Sequence, residues 1–82
     1  MSDKISLRPA QSRAARALVN WTRADLAEHS GVSAATLADF EAEKRTPYDR
    51  TLADIRSALE AAGVIFIDQN GEGPGVRLKE RV

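Results

Sequence analysis

The 82-residue chain has no cysteine and a single histidine. A disulfide framework and a thiolate zinc site are therefore excluded, and one imidazole cannot build a histidine metal site. No apolar run approaches the roughly 18 residues of a membrane span, and no signal-peptide pattern opens the sequence, so the expected location is the cytoplasm. Net charge is missing too. Twelve Lys+Arg balance 12 Asp+Glu, which excludes a globally basic nucleic-acid binder and an acidic solvating tail. What remains is an ordinary globular composition, 43% hydrophobic and 29% charged, long enough for one small core. Such a core buries only about 60–65% of the unfolded surface, so a partner subunit is an expected source of added stability.

The zero total hides a segregation. Residues 1–23 carry Lys4, Arg8, Arg13, Arg16 and Arg23 against Asp3. Residues 24–43 carry only acids: Asp25, Glu28, Asp39, Glu41 and Glu43. Residues 44–56 are basic again, with Lys44, Arg45, Arg50 and Arg56 against Asp49 and Asp54. Whether the basic segments share a face depends on the fold.

Local signals divide the chain into four helices and a β tail. Residues 1–8 read as a flexible arm. Pro9 suits a first helical position, and Ala14/Leu18 with Ala15/Val19 predict a helix over 9–20. Thr22 followed by Asp25 resembles a capping box, and Trp21 with Leu26 has the spacing of a hydrophobic staple; the second helix is expected over 23–29. Gly31 follows it in the position that favours a left-handed backbone. Ser33 caps a third helix over 34–42, with Val32 and Leu37 as its staple. Leu52, Ile55, Leu59 and Ala62 fit the period of a fourth helix over 49–62, which Gly63 stops. Val64–Ile67 and residues 76–79 then read as two short strands, with Asn70-Gly71 as a hairpin turn signal, Gly73-Pro74-Gly75 as an extension of the loop and Pro74 opposing a full ladder. The division is a helical unit over 1–63 and a strand tail over 64–82.

The informative unit runs from Thr22 to Glu41. Two short helices are joined by a sharp turn at Gly31, small Ala27 lies where they approach, and Leu26, Val32, Leu37 and Phe40 take core positions. This is helix-turn-helix geometry. Its second member, at about 34–42, is short, capped and free to enter a major groove about 12 Å wide. In Leu26-Ala27, Gly31-Val32-Ser33, Leu37, Phe40-Glu41, Pro47 and the Leu52…Ile55…Ala58-Leu59 stripe, the sequence resembles the Xre/Cro-type repressors over roughly residues 9–62. The ending from Glu60 through Gly73-Pro-Gly-Val-Arg-Leu78 is similar to the tail of short bacterial regulators of that family. The resemblance implies a mainly α, four-helix, lambda-repressor-like domain, here with a C-terminal β-hairpin where the family commonly adds a fifth helix.

The resemblance also implies site residues. Arg16 and Glu41 match an arginine–glutamate pair that locks the first helix onto the recognition helix, and in some members that arginine also reaches a phosphate. Thr22 and Arg23 open the second helix, where phosphate or base-edge contacts fall. Ser33 (foremost a cap), Ala34, Ala35, Thr36 and Asp39 lie along the recognition helix. Lys44, Arg45 and Thr46 match a phosphate-gripping connection. Two alanines depart from the glutamines common there; they suit thymine methyl groups rather than bidentate adenine contacts. Asp39 either accepts from cytosine N4 or orients Arg23 or a neighbouring arginine. Readout then leans on Arg23, Thr36 and DNA shape.

The expected function is a sequence-specific, DNA-binding transcriptional regulator, repressor-like, acting as a dimer on a pseudo-palindromic operator. The alternative is a protein-interaction module, antitoxin-like or an adaptor, on the same fold. Expected partners are double-stranded DNA, a second copy of the chain and a regulatory protein, with no membrane, cofactor or metal. The expected setting is bacterial or phage, nucleoid-associated when bound. Val64, Ile65, Phe66, Ile67, Val76 and Leu78 form an edge-strand surface expected to dimerise by strand addition or exchange, against the alternative of a hairpin folded onto its own helices. No catalytic residue is expected: the one route to a Ser-His-Asp set, Ser30 or Ser33 with His29 and Asp25 or Asp39, has no nucleophile elbow or oxyanion loop. His29 is read as a helix-dipole partner and Trp21 as core or staple.

Overall fold

The computed structural model describes residues 7–79; of the arm reading at 1–8, residues 1–6 lie outside them. The order is α1 (Pro9–Val19), α2 (Arg23–Ser30), α3 (Ala34–Glu41), α4 (Asp49–Ala61), β1 (Val64–Ile67) and β2 (Gly75–Leu78). Local chemistry explains the boundaries. Pro9 opens α1, and Asn20 ends it in the left-handed region at φ 62°. Thr22 and Asp25 exchange reciprocal hydrogen bonds at the start of α2, and Gly31 closes that helix at φ 74°. A side chain there would strain the backbone, which is why the turn takes glycine.

Leu26, Leu37, Ile55 and Leu59 are fully buried and join α2, α3 and α4 into one core. Val32 and Phe40 add to it, and Ala27 packs against it. Of the apolar pairs that mark α1, Ala15 and Val19 pack on the core while Ala14 and Leu18 are exposed, and Gln11 and Ser12 complete the buried face. Two polar residues occupy buried positions because each has a partner there. Ser12 donates to Glu41 at 2.6 Å, and Gln11 Nε2 donates to the carbonyls of Ile67 (3.3 Å) and Gly75 (3.0 Å). Satisfied polar groups are tolerated in a core; orphaned ones are not.

The tail is an antiparallel two-stranded sheet with Val64 opposite Leu78, Ile65 opposite Arg77, Phe66 opposite Val76 and Ile67 opposite Gly75. β2 begins one residue before its expected start and ends one before its expected end. Asn70-Gly71 does not form a two-residue hairpin. Pairing starts at Ile67 and Gly75, and residues 68–74 form a wide loop. Gly71 and Gly73 take positive φ there, and Asn70 Oδ1 accepts from the Glu72 N–H at 3.2 Å. Pro74, without an N–H, cannot extend the ladder.

The sheet packs its inner face on α1 and α4. Val64 and Phe66 enter the helical core, so helices and tail share one hydrophobic centre. Arg56 of α4 lies over the Phe66 ring at 4.9 Å and reaches Glu60 (3.1 Å) and Asp68 (3.4 Å). That arrangement fastens β1 and the loop after it to α4.

Candidate nucleic-acid interface

The site is built from the turn outward. Thr22 Oγ1 accepts from the Asp25 N–H at 3.0 Å, and Asp25 Oδ2 accepts from the Thr22 N–H at 2.9 Å. The Thr22 backbone N–H and then its hydroxyl hold the Asp25 carboxyl below the ordinary carboxylate range, with a smaller lowering from His29 against a small burial effect. Ser33 does the same work for α3: its Oγ accepts from the Thr36 N–H (3.1 Å) and donates to Thr36 Oγ1 (2.9 Å). The two caps fix where each helix begins, and so where Arg23 and Ala34 emerge.

The outer face of α3 is short of donors. Ala34 and Ala35 are exposed, and Thr36 and Asp39 are half-buried. Arg23 is exposed at the first position of α2. Among the described residues, neither the Arg23 guanidinium nor the Asp39 carboxylate has a hydrogen-bond or ion-pair partner. The two are not paired to each other. Lys44, Arg45 and Thr46 are exposed on the connection after α3. Glu43 sits there at φ 62°, and Lys44 N–H donates to the Asp39 carbonyl at 2.9 Å. Arg45 and Thr46 line a shallow cleft with Leu7, Arg8 and Phe40.

Behind this face lies a buried charge. Glu41 ends α3 beneath α1 and is nearly sealed from water. Arg16 grips it with two parallel bonds, Nη2 to Oε1 at 2.8 Å and Nε to Oε2 at 3.0 Å. Ser12 donates to the same Oε2, and Arg13 donates to the Glu41 backbone carbonyl. Arg16 Nη1 donates to the Trp21 carbonyl at 3.1 Å. One guanidinium thus ties α1 to the end of α3 and to the start of the turn into α2. The fork geometry sets orientation as well as distance.

The sequence pattern gives no sign of one further feature. The His29 and Trp21 rings stack with centroids 4.3 Å apart and planes 6° from parallel. Their spacing, one residue before the N-cap of α2 and near its end, carries no pattern that marks a ring pair. Ser30 Oγ accepts from the Val32 N–H and Ser33 Oγ serves the cap, so both hydroxyls are engaged in backbone structure. Among the described residues no cluster of three His, Cys, Asp or Glu could hold a metal, and no helix is long and apolar enough to cross a membrane. Of the six tail residues, Val64 and Phe66 face the chain's own core, Ile67 and Val76 are half-buried, and Ile65 and Leu78 are exposed.

A helix-turn-helix family model matches residues 13–61, from within α1 to the end of α4. No curated protein matches the chain.

Proposed function

The chain belongs to the Xre/lambda-repressor-like helix-turn-helix family of DNA-binding transcription regulators, and from that premise we propose that it is a sequence-specific regulator that binds a pseudo-palindromic operator as a dimer. The observation that carries this reading is the pose of α3. It is capped by Ser33, held from behind by the Arg16–Glu41 fork, and among the described residues leaves Ala34 and Ala35 exposed.

In this reading α3 lies in the major groove. The methyl groups of Ala34 and Ala35 meet thymine methyls, and Asp39, an acceptor only, accepts a hydrogen bond from the cytosine N4 amino group. Thr36 and Arg23 supply further donors. Thr22, Lys44, Arg45 and Thr46 hold phosphates on either side while Ser33 keeps its cap, with Arg16 reaching a phosphate through the hydrogens that Glu41 and Trp21 leave free. Two copies joined through the C-terminal strands set their recognition helices one helical turn, about 34 Å, apart. Residues 1–63 form the DNA-binding unit and 64–82 the joining element.

Selection of bound duplexes from a random pool by the purified protein tests the reading. The expected product is two inverted half-sites with a fixed spacing. The lack of long polar side chains on the outer face of α3 also fits a protein-interaction module. Failure to enrich any duplex favours that second reading and rejects the first.

A further inference from the structure

We propose that β1, and not β2, is the strand through which two copies join, with their outer edges paired antiparallel about a two-fold axis at Ile65. This rests on the dimeric reading above and goes beyond it by naming the edge, the register and the residue on the axis.

Among the described residues each strand of the hairpin has one unpaired edge. The bond from Lys79 N–H to the Gly63 carbonyl, 2.7 Å, sets which residues point there. It makes Gly63/Lys79 a hydrogen-bonded position, and alternation then assigns Ile65/Arg77 and Ile67/Gly75 to the same class. The backbone groups of Val64 and Phe66 therefore point away from β2, and those of Val76 and Leu78 point away from β1. Among the described residues no hydrogen bond reaches either outward set.

The two edges differ in what they bring to a copy of themselves. Pairing β2 with β2 about Arg77 sets that arginine against its own copy. Pairing about Leu78 sets it against Lys79 of the second copy. Pairing about Val76 brings Leu78 to Pro74, which has no N–H to give. Each register carries a penalty that protects an edge strand from association. β1 has none of these. Paired about Ile65, Val64 of each copy meets Phe66 of the other, and the four outward N–H and four outward C=O groups of the two strands satisfy one another. Ile65, 42% exposed on the outer face, then lies against Ile65 of the second copy.

The register is confined on both sides. A shift one way needs Ala62, which holds helical φ and ψ of −82° and −5°. A shift the other way needs Asp68, outside the strand, whose carboxylate rests on Arg56. The side chains of Val64 and Phe66 stay in their own core. α3 packs on α1 and α2 while β1 packs on β2, α4 and α1, so the joining edge and the recognition helix use different parts of the surface.

The chain has no cysteine, so Ile65→Cys introduces a single thiol on the proposed axis. At a position without hydrogen bonds, facing Cα atoms lie about 4.5 Å apart, inside the range of about 4.4–6.8 Å that a disulfide spans. Mild oxidation of the full chain should convert most of Ile65→Cys to a covalent dimer on a non-reducing gel. Arg77→Cys should stay a single chain, and both variants should keep the native circular dichroism. A native chain that sediments as a dimer while Ile65→Cys fails to cross-link overturns the edge and leaves the dimer standing. Preferential cross-linking of Arg77→Cys, or equal cross-linking of both, also overturns it. A native chain that is monomeric alone and one per half-site on the selected duplex removes the dimeric reading itself.

Discussion

Replacing Arg16 by methionine leaves the Glu41 carboxylate under α1 with Ser12 as its one remaining side-chain donor among the described residues. Two charged bonds, at 2.8 and 3.0 Å, disappear, and so does the tie to the Trp21 carbonyl. Breaking a fully buried pair from one side costs about 3–5 kcal/mol, because the surviving charge has no water to return to. The Arg16 side chain keeps 20% of its surface in solvent, so water reaches part of the site, and the lower end, about 3 kcal/mol, applies. A domain of this length has about 4–12 kcal/mol in total, so the loss is a large share of it. At about 4–8 °C per kcal/mol, the midpoint of thermal unfolding should fall by roughly 12–24 °C.

The converse change, Glu41→Met, should be milder, since the arginine it strands is the partner that can turn to water. The double variant should recover to within about 1 kcal/mol of the native chain, because an apolar pair of similar volume avoids the desolvation of both charges. Urea and thermal denaturation followed at the helical circular dichroism band give all four corners of the cycle. A double variant as unstable as Arg16→Met alone, or a coupling energy near zero, refutes this account of Glu41.

Three other outcomes follow from the same geometry. Arg23→Ala and Lys44→Ala should each weaken duplex binding and lower the slope of log affinity against log salt by roughly 0.9 for each phosphate no longer neutralised, read by fluorescence anisotropy across a salt series; an unchanged slope removes that residue from the phosphate set. Uracil in place of thymine in the selected half-site should reduce affinity if Ala34 and Ala35 meet the methyl groups, whereas Ala35→Gln should change the selected sequence. The folded Asp25 carboxyl titrates below its unfolded value, so its contribution is present above the ordinary carboxylate range and is lost as pH falls through the depressed folded value; Thr22→Ala should raise that titration toward the ordinary carboxylate value by NMR, and an unmoved titration denies the cap its role.

The sequence by itself determined the helical and strand segments to within a residue or two, because their ends are set by neighbours in the chain. Thr22, Gly31 and Ser33 act on backbone groups three or four residues away, and the Leu52, Ile55 and Leu59 spacing needs only the pitch of a helix. The Arg16–Glu41 pair was legible through family resemblance, since nothing local joins residues 25 positions apart. Only the tertiary structure decided which face of α1 turns inward. Gln11 and Ser12 look like surface residues until the carbonyls of Ile67 and Gly75 and the Glu41 carboxylate arrive opposite them. The Trp21–His29 stack and the placement of Arg56 over Phe66 were likewise settled by packing. A cap is one short-range bond, whereas a buried polar residue is favourable only when a distant partner has been brought within about 3 Å of it.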